Sequence, residues 1–253
     1  MRILILGGTA EARRLAERLA DRGDLAVTLS LAGRTVAPAP QPVSVRIGGF
    51  GGAEGLARYL AAERVDALID ATHPYAAVIS ANAADAARLA GVPLLGLRRP
   101  PWLPVAGDRW IEVADVAAAA RAIGAAPRRV FLTLGRKELA PFTNAPQHDY
   151  LVRSVDPVDP PLAVPRVSYL TARGPFTEAD ERMLLSARHI EIVVAKNSGG
   201  ASTYGKIAAA RELGLPVIMP CRPLLPPVTA VETIEDALAW LDHVSRPRAE
   251  RGV

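Results

Sequence analysis

The 253-residue sequence predicts an α/β protein built as two Rossmann-like domains with parallel sheets. Three observations predict it. Short apolar runs of strand length alternate with Ala/Leu/Arg segments of helical period, as in βαβ units. A strand–glycine turn–helix stretch, "LILGGTAEARRLAERL", lies at residues 4–19. A proline-rich break at "RRPPWLPVAGDRW", residues 98–110, interrupts the alternation, because Pro100, Pro101 and Pro104 continue neither a helix nor a central strand.

In chain order the first half reads as strands at 2–6, 26–31, 43–47, 67–70 and 94–97, with helices near 10–22, 53–63 and 75–89. After the break, strands are expected at 110–113, 129–134, 150–154, 167–171, 190–195 and 216–219. Helices are expected near 116–123, 178–186, 203–213 and 234–244. The expected domains are 1–100 and 101–253, with an active site in the cleft between the carboxyl ends of their strands, where open α/β sheets bind ligands.

Half of the residues are hydrophobic, enough for a chain of this length to bury about 70% of its unfolded surface without staples. The single cysteine, Cys221, excludes an internal disulfide framework and a multi-cysteine zinc site. No secretory segment and no long uncharged apolar run is read, so a cytoplasmic protein is expected, neither exported nor membrane-bound. The net charge of +4 suits an anionic small molecule better than nucleic acid. A monomer accommodates all of this, although sequence does not fix the oligomeric state.

The opening stretch carries the first candidate site. Gly7 and Gly8 permit a tight turn, Thr9 can cap the following helix, and the free N–H groups there favour an anion such as a nucleotide phosphate. Ala12 stands where the G-x-G-x-x-G fingerprint has its third glycine; a strand, turn and helix without ligand would look much the same. After the second strand, "TLSLAGRTV" offers no acid for the ribose of NAD but does offer Arg34, which would accommodate the 2′-phosphate of NADP unless it is a solvated loop residue. NADPH is therefore the expected cofactor. After the fourth strand, "LIDATHPYA" puts Thr72, His73 and Tyr75 on the ligand side, with Pro74 suited to the start of a helix. His73 serves equally well as a packing or capping residue or as a proton source.

In the second half, "TLGRKELAPF" brings Arg136 and Lys137 to a strand end, and "TARGPF" brings Arg173. The stretch "VVAKNSGGASTYGKIAAA" brings Lys196, Ser198, Gly199, Gly200, Thr203 and Lys206. Hydroxyls, amides and cations together at one sheet edge make an anion pocket, though any one such loop could be solvated surface. The stretch is no Walker A motif, because Gly205-Lys206 is followed by Ile207. The Tyr-x-x-x-Lys pair of short-chain dehydrogenases is missing, since one residue separates Tyr204 from Lys206. No metal-ligand spacing, G-x-S-x-G elbow or Cys–His arrangement occurs, so no metal is expected.

Taken in order, "ILILGGTAEARRLA", "DATHPYA" followed by "ISANA", "LRRPPW", "LTLGRKEL", "ARGPF" and "KNSGGASTYGKIAAARELGLPVIM" make the chain resemble the precorrin-6A reductase family of cobalamin biosynthesis over nearly its whole length. The resemblance implies hydride transfer from NADPH to a carbon–carbon double bond of the precorrin-6A macrocycle, giving precorrin-6B. It assigns Gly7, Gly8, Thr9, Arg34, Thr72 and His73 to the cofactor. Arg136, Lys137, Arg173, Lys196, Ser198, Gly199, Gly200, Thr203 and Lys206 go to a tetrapyrrole substrate bearing several carboxylates. His73, Tyr75 and Lys196 are the candidate proton donors. The residues alone would also permit a non-catalytic nucleotide- or anion-binding protein, or an NADPH reductase of another anionic substrate.

Overall fold

The computed structural model describes residues 1–33 and 40–245; the chain divides into two units, Met1–Pro100 with Pro223–Val253, and Pro101–Arg222. The first contains β1 (Arg2–Leu6), α1 (Ala10–Ala20), β2 (Ala26–Leu31), β3 (Ser44–Ile47), α2 (Gly52–Ala62), β4 (Ala67–Asp70), α3 (Ala77–Ala90) and β5 (Leu94–Leu97). The second contains β6 (Trp110–Val113), α4 (Val116–Ala122), β7 (Arg129–Thr133), β8 (Asp149–Ser154), β9 (Val167–Thr171), α5 (Glu178–Ala187), β10 (Ile192–Ala195), α6 (Gly205–Glu212) and β11 (Val217–Pro220). The chain then returns to the first unit as β12 (Ala230–Val231) and α7 (Ile234–Ser245).

In the first unit the strands pair in the order β12-β5-β4-β1-β2-β3, all parallel. Side chains alternate across a strand, so β1 feeds two cores. Ile3 and Ile5 join Leu29 and Ile69 under Ala12, Leu15 and Leu19 of α1 and Ala237 and Leu241 of α7. Leu4 and Leu6 join Leu68 under Leu56 and Leu60 of α2 and Ala83, Ala86 and Ala87 of α3. Being covered on both faces is why β1 and β4 read as unbroken apolar runs.

The second unit pairs in the order β6-β11-β10-β7-β8-β9, again all parallel. Val130, Leu132, Tyr150 and Val194 face α4, together with Leu139 and Phe142 from two 3₁₀ turns, Arg136–Glu138 and Ala140–Asn144, that follow β7. Phe131, Leu151, Val193 and Met219 face Leu185 of α5 and Ile207, Ala209 and Ala210 of α6. Among the described residues no helix is long and apolar enough to cross a membrane.

The expected second domain, 101–253, is corrected at its end. Ala230 and Val231 pair with Gly96 and Leu97 of β5, and α7 buries Ala237 and Leu241 against the α1 face of the first sheet. A two-residue strand carries no periodicity, so the return crossing leaves no mark in the sequence. The exposed ion pairs Arg18–Glu235 and Arg22–Asp242 also join α7 to α1 and the turn after it, but such pairs contribute little, and the apolar contact does the holding. Leu241→Ala is accordingly expected to destabilise the first unit by roughly 2–5 kcal/mol. Chemical denaturation of the full chain, followed by hydrogen exchange in β1 and β5, checks this.

Candidate active site

In both sheets the strand order reverses at a central strand, and at such a point the turns after two neighbouring strands diverge and leave a crevice at their carboxyl ends. In the first sheet the two strands are β1 and β4, with Leu6 opposite Asp70. Gly7 donates its N–H to the Ser30 carbonyl at 2.9 Å, the last rung of the β1–β2 ladder before the chain leaves the sheet. Gly8 follows at φ +112°, where L side chains are strained, and a Cβ there would meet no atom within 4 Å, so the turn presents bare backbone to open space.

Thr9 then does two things at once. Its hydroxyl oxygen accepts from the N–H of Ala12 at 3.1 Å, capping α1, and its O–H donates to the Ala71 carbonyl at 2.8 Å. The turns after β1 and β4 are thereby tied together beside the N–H groups that open α1. Ala12, in the place of the third glycine, is fully buried against the sheet. Glu11, in the first turn of α1, would repel an anion at this end of the helix. It is paired with Arg99 at 2.9 Å, with both side chains mostly buried.

Past β4, the buried Asp70 accepts from the Thr72 hydroxyl at 2.6 Å and the Thr72 N–H at 3.1 Å, so this threonine is oriented by its own strand end. Nδ1 of His73 accepts from the Tyr75 N–H at 3.2 Å, and the two rings lie 5.7 Å apart. Both stand half-buried at the rim. The expected helix start at Tyr75 is corrected: residues 72–76 form a turn, and α3 begins at Ala77. Arg34 lies outside the described residues. Reading the sequence missed Arg46, whose guanidinium lies 3.7 Å from the Phe50 ring centroid and donates to the carbonyls of Gly48 and Gly49 at 2.6 and 2.7 Å, at the carboxyl end of β3. An arginine inside a four-residue strand, four positions before an aromatic, was the available signal.

In the second sheet the reversal falls between β7 and β10, where Thr133 stands opposite Ala195. It brings together Gly135 and Arg136 after β7 with Lys196 and Ser198 after β10. The joining group is Glu138, which reading the sequence missed: its Oε2 accepts from the Gly135 N–H at 2.9 Å and from Lys196 Nζ at 2.5 Å. Only the sheet order makes neighbours of residues 58 apart in sequence, so no local pattern marks the pair.

Arg136 leans toward the end of β8, donating to the Pro157 carbonyl at 3.0 Å with Asp156 at 3.8 Å. Lys137 is exposed beside it. Arg173 is exposed past β9, at the far edge of the sheet, two strands from β7.

The loop after β10 is held from outside. The Asn197 side chain accepts from the Trp102 N–H and donates to its carbonyl, at 2.8 and 2.9 Å, and the Trp102 indole N–H donates to Gly200 O at 3.0 Å. Arg222 donates to the Asn197 carbonyl at 2.8 Å. Gly199 and Gly200 have φ values of +64° and +75°, which is the reason for two glycines at this turn. A loop held in this way has little ordering cost on binding a ligand.

Lys206 is a correction. The sequence expectation puts its ammonium on the rim beside Thr203, but it is only 5% exposed, in the first turn of α6, donating to the Thr203 carbonyl at 2.6 Å. Burial pushes its pKa down to about 7, and the nearby Arg153 pushes the same way while Glu181 opposes. The reason is steric. α6 packs so close to the segment before α5 that a Cβ at Gly205 would sit 2.6 Å from the Phe176 carbonyl oxygen, and its first turn is drawn inward. Thr203 is half-buried with its carbonyl engaged.

Among the described residues no group of three His, Cys, Asp or Glu side chains stands together to hold a metal. Cys221 is exposed.

The model of the precorrin-6x reductase family CbiJ/CobK matches residues 2–242. A precorrin-6A reductase from a Sinorhizobium species is 56% identical over 97% of this chain and 94% of its own length. That of Rhodobacter capsulatus is 52% identical over 98% of each chain. A solved structure described as CobK precorrin-6A reductase superposes with a TM-score of 0.93 at 50% identity over 97% of each chain.

Proposed function

Because the chain belongs to the precorrin-6x reductase family CbiJ/CobK, we propose that it reduces a carbon–carbon double bond of precorrin-6A to give precorrin-6B, using NADPH. The observation that carries the cofactor half of this reading is the Gly7–Thr9 turn. It has bare backbone at Gly8, an open space that a Cβ would enter, and the capped start of α1 at a point where the strand order reverses. These residues fit a dinucleotide. When bound, NADPH supplies the hydride and the protein supplies orientation, charge compensation and a proton.

Gly7, Gly8 and the amides opening α1 hold the pyrophosphate, with Glu11 neutralised by Arg99 so that the helix end stays attractive to an anion. Arg34 takes the 2′-phosphate. Thr72, fixed by Asp70, and His73 line the same crevice. In the second unit Lys137, Arg173, Arg136 and the amides of the Ser198–Gly200 loop meet the carboxylates of the tetrapyrrole. Lys196, His73 and Tyr75 are the groups on these rims able to donate a proton at neutral pH.

The test is a thermal-shift comparison followed by turnover. NADPH is expected to protect the protein more than NADH does, and Arg34→Ala is expected to remove the preference, a loss of about 10-fold or more in NADPH affinity, since hydrogen bonds between charged groups contribute about 1.5–3 kcal/mol. Equal protection by the two cofactors would sink the Arg34 assignment. Consumption of the nicotinamide absorbance on mixing with precorrin-6A separates the reductase from a protein that only binds.

A further inference from the structure

We infer that Glu138 is a positioning residue that fixes the Lys196 ammonium at the crevice of the second sheet as the proton donor of the reduction. The inference rests on the reductase reading above. It starts from the balance of the reaction. Hydride adds to one carbon of the double bond, the π electrons form a new C–H bond at the other, and that bond needs a proton; NADPH is oxidised to NADP⁺. If Lys196 donates, its N–H bond breaks as the C–H bond forms, and solvent returns the proton.

Among the basic groups on the rim of the second sheet, the geometry selects Lys196. Arginine does not release a proton near neutrality, which removes Arg136, Arg173 and Arg222. Lys206 is turned into the interior onto the Thr203 carbonyl. Lys137 is exposed, its side chain in water rather than sheltered at the strand end. Lys196 is the sheltered lysine, with its side chain 15% exposed, directly past β10 where the strand order reverses.

A lysine side chain has four rotatable bonds, so a donor that must meet one carbon needs an anchor. Glu138 provides it from the neighbouring strand. Its carboxylate is itself held by the Gly135 N–H at 2.9 Å, and the ammonium sits 2.5 Å from the same oxygen. The other charged groups at this rim are drawn elsewhere: Arg136 toward Asp156 and Pro157, Arg222 onto the carbonyl of Asn197, the residue after Lys196. Glu138 thus aims the donor without touching substrate.

The experiment compares the full chain with Glu138→Gln, Glu138→Asp and Lys196→Met, using NADPH and precorrin-6A. Glutamine still accepts from Gly135 but no longer anchors an ammonium through charge. Expected for Glu138→Gln are a fall in kcat of at least about 10-fold, KM for precorrin-6A and NADPH protection changed by less than about 2-fold, and a larger solvent deuterium isotope effect on kcat. Glu138→Asp is expected to restore part of kcat, and Lys196→Met to lose on the order of 100-fold or more, the size of a general-acid contribution.

An unchanged kcat and isotope effect in Glu138→Gln, with the unaltered chain active, would overturn this inference alone. So would equal losses in kcat and KM with no change in isotope effect, the mark of a structural role. Failure of the unaltered chain to consume NADPH overturns the reductase reading, and this inference with it.

Discussion

Glu181→Ala is expected to cost the second unit roughly 3–5 kcal/mol of stability, the range for removing one partner of a buried ion pair. Arg153 Nη1 lies 2.6 Å from Glu181 Oε1, and the side chains are 7% and 1% exposed. The guanidinium is wedged 3.7 Å from the Phe176 ring centroid and 4.9 Å from that of Phe131, so it cannot swing to water when its carboxylate is lost. Lys206 lies in the same interior. The alanine variant would leave two buried bases with no acid between them. Calorimetry on the full chain reads the result as a downward shift of one transition, with hydrogen exchange assigning it to β8 and α5. A loss under about 1 kcal/mol would mean that water reaches Arg153. The pair is itself imperfect, since Glu181 Oε2 is buried without a hydrogen-bond partner. Replacing both residues together by apolar ones of similar volume is therefore expected to cost far less than the single change.

Lys206→Met should do the opposite and stabilise the protein at pH 7. The folded chain holds this lysine at about 7 against 10.5 for the free side chain, mainly through burial. Between those values the unfolded chain carries a proton that the folded chain does not, so unfolding takes up a proton and raising the pH favours the fold. The penalty is complete below about pH 7 and vanishes above about 10.5. At about 1.4 kcal/mol per pKa unit the penalty is a few kcal/mol, offset by about 1 kcal/mol for the lost bond to the Thr203 carbonyl. Urea midpoints at pH 7 and pH 10 test it: the methionine variant should gain at pH 7 and lose the rise in stability on going to pH 10. A variant less stable at pH 7 with an unchanged slope would show that Lys206 is solvated by transient opening.

Most of the secondary structure was legible because its signals are local. The strands at 2–6, 26–31, 67–70, 94–97, 110–113 and 167–171 have the boundaries that the apolar runs indicated. Helix ends drifted where the chain makes a non-helical turn first, as at residues 72–76 and in the 3₁₀ turn Ala201–Thr203 before α6. The site was partly legible for the same reason. Glycines, a capping threonine and cations past strand ends can be named from sequence, because a parallel sheet puts all those ends on one side.

By itself, then, the sequence determined the α/β class, the places where turns leave the strands, the chemical types gathered at their carboxyl ends and the family. The tertiary structure alone decided which turns are neighbours. It set Thr9 against Ala71 and Glu138 against Lys196, returned residues 230–245 to the first sheet, and turned Lys206 from the rim to the interior. The reason is that periodicity records which face of its own element a residue occupies, whereas strand order and helix approach are set by packing between segments distant in sequence, which no local pattern encodes.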